Sequence, residues 1–177
     1  MNYHQLFVEI EGDRSKANIN KLIQQTESSE FDIVSFFEFF HLYEASKPWL
    51  FTWWLSHFVE SKSEYLNHTE LCENIYLEIS SCSNESILRD LWRALTFIEI
   101  ETREGELFDL GLKHLMNEKI AIAPRAHAML VISEIAFNYP DLLPELKLVL
   151  TSFIDHESAG LRARSKNILK KIKKLKA

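Results

Sequence analysis

Between Ile122 and Leu175 the chain reads IAPRAHAMLVISEIAFNYPDLLPELKLVLTSFIDHESAGLRARSKNILKKIKKL, and few folds accept that pattern. Pro124 suits the first turn of a helix, where the N–H it lacks would have no partner anyway. Behind it Ala126, Met129, Ile132, Ile135 and Ala136 recur at spacings of three and four, the signature of one buried helical face. Tyr139-Pro140 ends that helix, because the residue before a proline is pushed out of helical geometry. Asp141 is then the expected N-cap of a second helix, with Pro144 inside its first turn and an apolar stripe at Leu143, Leu146, Leu150 and Phe153. After a loop at 155–160 a third stripe follows at Leu161, Ser165, Ile168, Ile172 and Leu175. An antiparallel helix pair with so short a turn cannot bury both stripes alone. It needs a neighbour on each side, which is the logic of stacked repeats.

The rest of the chain reads as earlier copies of that unit. Short helices are expected over 4–10 and 16–26, and a stronger one over 31–43, capped by Ser28-Ser29, with Ile33, Phe36, Phe37 and Phe40 on one face. Pro48 opens PWLFTWWLSHFVES, whose Trp49, Trp53, Leu55 and Phe58 read as apolar and Thr52 and Ser56 as polar. Helices over 64–79, over 87–98 behind the cap residue Asn84, and over 105–116 complete the series. FIEIE at 97–101 alternates too briefly to be a strand. ILRDLWRALTFIEI, APRAHAMLVISEIA and GLRARSKNILKKI superpose with Arg89, Arg125 and Arg162 aligned, 36 and 37 residues apart. Seven residues before the last two stand Glu118 and Asp155.

These features carry a resemblance. A Pro or Ala before an aligned Arg, a first helix ending at YP, a second beginning near LLPEL and an acid in the inter-repeat loop are similar to a HEAT repeat. Residues 47–175 also resemble small bacterial HEAT-like proteins, through SHFVESKSEYL, LTFIEI, LFDLGL, AHAMLVISEIA and DHESAGLRARSKNIL. The resemblance implies an all-α fold, an α-α superhelix of antiparallel helix pairs, and no particular activity. One domain is expected over 1–177, with repeats at 47–83, 84–120 and 121–157 and a capping helix at 158–175. The Trp-rich PWLFTWWL lacks the aligned arginine, so the first repeat departs from the pattern.

Composition narrows the class further. Hydrophobic residues make up 46%, which excludes a disordered chain. No apolar run reaches the roughly 20 residues of a membrane span. The first residues do not read as a signal peptide, and Cys72 and Cys82 are too few for a disulfide framework, so a cytoplasmic protein is expected. Residues 1–161 carry 12 basic against 26 acidic side chains, a net of −14, while eight lysines and arginines and no acid follow Leu161. An acidic body repels nucleic acid and anionic lipid. The basic end is read as a capping helix whose lysines complement its dipole.

Motifs for chemistry are sparse. Glu38-x-x-His41 has the spacing of half a di-iron site, but no second copy accompanies it. The seven histidines lack zinc-ligand spacing, and there is no phosphate-binding glycine loop or nucleophile elbow. No catalytic, cofactor or metal residues are assigned, no cofactor is expected, and an enzyme is disfavoured. The four tryptophans read mostly as core, with Trp54 the one expected at the surface. The Arg89, Arg125 and Arg162 series is expected to link repeats through Glu118–Arg125 and Asp155–Arg162 ion pairs. The functional expectation is a protein-binding scaffold or adaptor, monomeric or weakly self-associating. Its partner face would lie on the second helix of each pair, through Glu70, Glu73, Glu106, Asp109, Lys113 and Glu145. The competing expectation, nucleic-acid binding or repair, requires a basic face with an aromatic side chain and an acid beside it.

Overall fold

Side-chain oxygens begin at least five of the helices described. Asn2, Ser15, Asp32, Asn67 and Asn84 each accept from a backbone N–H of the first turn that follows, filling donors that helix geometry leaves unpaired. The computed structural model describes residues 1–43 and 47–175, so Lys176 and Ala177 of the basic end lie outside the described residues. Among those described there are ten α-helices and no strand. The chain divides into two compact units, residues 1–102 and 103–177.

The first unit contains α1 (Tyr3–Gly12), α2 (Lys16–Gln25), α3 (Ile33–Leu42), α4 (Trp49–Lys62), α5 (His68–Ser81) and α6 (Glu85–Leu95). α4 lies at its centre, packed against α1, α2 and α6, while α3 packs on α1 and α5. Its core is aromatic. Phe7 stacks on Phe51 with centroids 3.7 Å apart, Trp54 stacks on Phe58 at 4.8 Å, and Phe36 meets Phe7 edge to face at 5.6 Å. Such ring pairs add about 0.5–1.5 kcal/mol beyond the area they bury. Tyr3 ties the first helix to this core: its hydroxyl donates to the Asp32 carbonyl at 2.6 Å and accepts from the Asp32 N–H at 2.9 Å. Burial pushes the Tyr3 phenol up to about 12, so it stays a donor throughout the physiological range.

Three expectations are corrected in this unit. Ser28 and Ser29 do not cap α3; residues Ser28–Glu30 form a 3-10 turn and Asp32 caps instead, its Oδ1 2.5 Å from the Ser35 N–H. Trp54 is not at the surface but wholly buried, and its Nε1 has no hydrogen-bond partner among the described residues. Thr52 and Ser56 are buried too, because their hydroxyls satisfy themselves on the carbonyls of Trp49 and Trp53 three residues back.

The second unit contains α7 (Glu104–Met116), α8 (Ile122–Asn138), α9 (Leu143–Ser152) and α10 (Ala159–Leu175). α8 is its hub, packed against the other three. The face expected from periodicity is the face that packs: Ala126, Met129, Ile132, Ile135 and Ala136 are buried, as are Leu143, Leu146, Leu150 and Phe153. On α10 Leu161, Ser165, Ile168 and Ile172 are buried, but Leu175 is 64% exposed and drops out of the stripe. Ser165 belongs to the core because its hydroxyl donates to the Leu150 carbonyl at 2.6 Å. Asp141 does not cap α9. Residues Pro140–Leu142 form a 3-10 turn that runs directly into the helix, which places Asp141 within the turn rather than at the helix mouth.

Candidate functional site

The residues expected to form a partner face fall in both units. In the first, Glu70 is half-buried in the opening turn of α5, and Glu73 is exposed one turn on, accepting from the Thr102 hydroxyl at 3.3 Å. In the second, Glu106, Asp109 and Lys113 stand exposed on α7, spaced to share one side of the helix, opposite the buried Leu107, Phe108, Gly111 and Leu115. Glu106 pairs with Arg103 at 3.1 Å. Glu145 is exposed on α9 beside Leu148, which is 76% exposed. In Glu38-x-x-His41, His41 Nε2 lies 2.7 Å from Glu78 of α5, and among the described residues no group of three or more potential metal ligands gathers.

The arginine series meets different acceptors from those expected. Arg125 is buried at 3% exposure, its Nε donating to the Leu115 carbonyl at 2.8 Å and its guanidinium lying over the Phe153 ring at 5.7 Å. Glu118 is exposed and is not its partner. The reason is local: Leu115 sits in the last turn of α7, where carbonyls lack intrahelical donors and carry the negative end of the helix dipole. Arg162 likewise donates to main-chain oxygens, those of His156 at 2.6 Å and Glu157 at 3.3 Å, while Asp155 stays exposed. Arg89 pairs with its own neighbour Asp90. The three arginines aligned in the sequence therefore do not share a partner.

A cleft that the sequence reading missed lies between α4 and α6. On α4, Trp49, Trp53 and His57 recur every fourth residue and are each half-buried, while Leu50, Trp54 and Phe58 beside them are fully buried. On α6, Arg89 and Arg93 recur at the same spacing and face the same space, and Arg14 reaches it from the α1–α2 loop. The cleft is open to solvent along one side and holds about 440 Å³. Acids hold the arginines. The Arg89 fork grips Asp90, with Nε to Oδ1 at 2.8 Å and Nη2 to Oδ2 at 2.9 Å. Arg93 donates to Glu60 at 2.5 Å and to the Ser56 hydroxyl at 3.2 Å, and lies over Phe97 at 5.0 Å. Burial raises the Asp90 carboxyl above its ordinary value despite Arg89. Burial also pushes Glu60 upward, but hydrogen bonds from Arg93 and His57, with their charges, bring it below the ordinary value overall. The signal available in the sequence was the pair of fourfold spacings, Trp49/Trp53/His57 and Arg89/Arg93. Nothing local says that those two helices lie side by side.

Set against known families, the HEAT repeat domain model matches residues 8–172. The chain belongs to the HEAT repeat family. The match begins within α1 and ends within α10, so this HEAT repeat protein carries the family pattern from its first helix to its last. Comparison with curated proteins and with solved structures returns no match. Among the described residues no helix of the HEAT repeat chain is long and apolar enough to cross a membrane.

Proposed function

We propose that this HEAT repeat protein is a non-enzymatic scaffold that binds a protein partner, with the outer face of α7 as its main contact. The observation that carries this reading is the division of α7 into two faces. Leu107, Phe108, Gly111 and Leu115 bury one side, and the other side holds Glu106, Asp109 and Lys113 in solvent, with Glu106 paired to Arg103. Asp109 and Lys113 form no ion pair among the described residues. Helical-repeat proteins present extended surfaces of this kind, and an acidic one favours a basic or mixed-charge protein segment.

The test is affinity capture from the source organism's extract, comparing the native chain with the Glu106→Lys, Asp109→Lys double variant, both verified as folded by circular dichroism. A protein identified with the native chain should then be purified and titrated directly. The reading expects binding that weakens in the double variant and as salt rises across about 0.05–0.5 M, as screening of exposed charges requires. Equal affinity for the two chains would remove α7 as the contact.

A further inference from the structure

We propose that the cleft between α4 and α6 is a separate binding site for a nucleoside phosphate, the base lying on the Trp49 and Trp53 rings and the phosphate on Arg14, Arg89 and Arg93. The two halves of such a ligand are matched by two kinds of surface. Trp49 and Trp53 keep part of their indoles in contact with water, although the aromatic core of the same unit lies one helical row away. Stacking a base on an indole contributes about 1–3 kcal/mol. Trp53 is held in place by an edge-to-face contact with His57, at 5.7 Å between centroids, and His57 Nδ1 is itself 3.1 Å from Glu60.

The arginines keep N–H donors beyond those their acids engage. A guanidinium has five N–H donors. Asp90 occupies two of those on Arg89, and Ser56 and Glu60 occupy two of those on Arg93, so both forks are fixed in orientation with donors to spare. Asp90 also lines the cleft, but it is 1% exposed and both its carboxylate oxygens accept from Arg89. Arg14 is exposed and its side chain makes no ion pair or hydrogen bond among the described residues. The cleft thus offers three cations against two carboxylates already engaged by those cations.

Size and charge select a small ligand. The volume of about 440 Å³ falls inside the range of roughly 300–1,000 Å³ typical of small-molecule sites. A long polyanion would also meet the net −14 of residues 1–161, whereas a mononucleotide meets only the local field of the cleft.

The experiment is isothermal titration of the full chain with each of AMP, GMP, CMP and UMP, with adenosine and inorganic phosphate as the separated halves. A ten-residue single-stranded oligonucleotide is titrated alongside them. The proposal expects saturable binding of at least one nucleotide, and binding at least about tenfold weaker, equal to about 1.4 kcal/mol, for either half alone. Arg14→Glu, on an exposed loop that cannot disturb the core, and Trp53→Leu should each weaken the nucleotide by about tenfold or more. Glu106→Lys, Asp109→Lys should leave it unchanged, which separates this site from the α7 surface. No saturable binding, phosphate binding as tightly as the nucleotide, or indifference to both cleft variants would overturn the proposal. An oligonucleotide binding far more tightly than any mononucleotide would also overturn it, in favour of a single-strand groove.

Discussion

Arg89 and Asp90, adjacent in the chain, form a two-pronged ion pair in which the carboxylate side chain is 2% exposed and the guanidinium 35%. The asymmetry decides how the pair responds to mutation. Asp90 has given up almost all of its water and burial raises its carboxyl, while the same contact raises Arg89.

Arg89→Met should therefore cost about 1–3 kcal/mol, because it strands a buried acceptor rather than merely deleting a surface charge. Adding Asp90→Leu should recover most of that loss, since a buried pair replaced by apolar groups on both sides is often neutral. The deficit of Arg89→Met should also depend on pH. A carboxyl raised in the folded state contributes stability that is present below its unfolded value of 3.8 and lost as pH rises through the folded one. Urea unfolding of the single and double variants at about pH 4 and pH 7 measures both effects. A double variant as unstable as the sum of the singles would show that the two side chains are not coupled.

Leu146 and Leu148 lie two residues apart on α9 and belong to opposite worlds: the first is fully buried and the second 76% exposed. Leu146→Ala should cost about 2–5 kcal/mol through lost burial and the cavity left behind. Leu148→Ala should change stability by no more than about 0.5 kcal/mol, as surface substitutions do. Equal losses would mean that α9 is rotated about its axis from the arrangement described.

Why that rotation was legible in the sequence, and the rotation of α4 was not, is a matter of how much of each helix is buried. α9 alternates apolar and polar residues around its circumference, so Leu143, Leu146 and Leu150 mark a single face. α4 buries Leu50, Phe51, Thr52, Trp54, Leu55, Ser56, Phe58 and Val59, which is most of its circumference, and a stripe there has no definite phase. Periodicity accordingly chose the wrong tryptophan for the surface, Trp54 in place of Trp49 and Trp53. The candidate cleft failed to show for a second reason. Its aromatic half and its basic half are separate helical spacings about forty residues apart, Trp53 and Arg93, joined only by the packing of α4 on α6. The arginine series was visible in the sequence, but the partners of Arg125 and Arg162 are main-chain carbonyls, which leave no trace in a sequence.

Arg125 illustrates that last point and gives a sharp test. It is a buried cation whose Nε closes the end of α7 through the Leu115 carbonyl. Arg125→Met should lose about 1–3 kcal/mol, the cost of leaving that carbonyl unpaired. Arg125→Lys should lose nearly as much, because a compact ammonium replaces neither the planar donor nor its stacking on Phe153. Chemical denaturation of both variants checks this. A lysine variant as stable as the native chain would show that only the charge matters at this position.

His114 carries the clearest pH dependence in the second unit. It lies in the last turn of α7, where the helix dipole favours a cation, yet it is buried at 9% exposure and has Lys113 as its chain neighbour. Burial first, and the Lys113 charge second, lower its pKa below the ordinary 6.5. The sign follows from proton counting. The unfolded chain takes up a proton near 6.5 while the folded chain resists it, so this contribution is intact above that value and is lost as pH falls through it toward the folded value. One such group gives a slope of at most about 1.4 kcal/mol per pH unit. Thermal or urea unfolding between about pH 5 and 7 should show the native chain weakening on acidification. His114→Gln, which keeps a polar side chain but cannot titrate, should weaken less over the same range. Parallel curves for the two chains would mean that His114 takes up its proton as easily in the folded state as in the unfolded one, and that its burial has no bearing on stability.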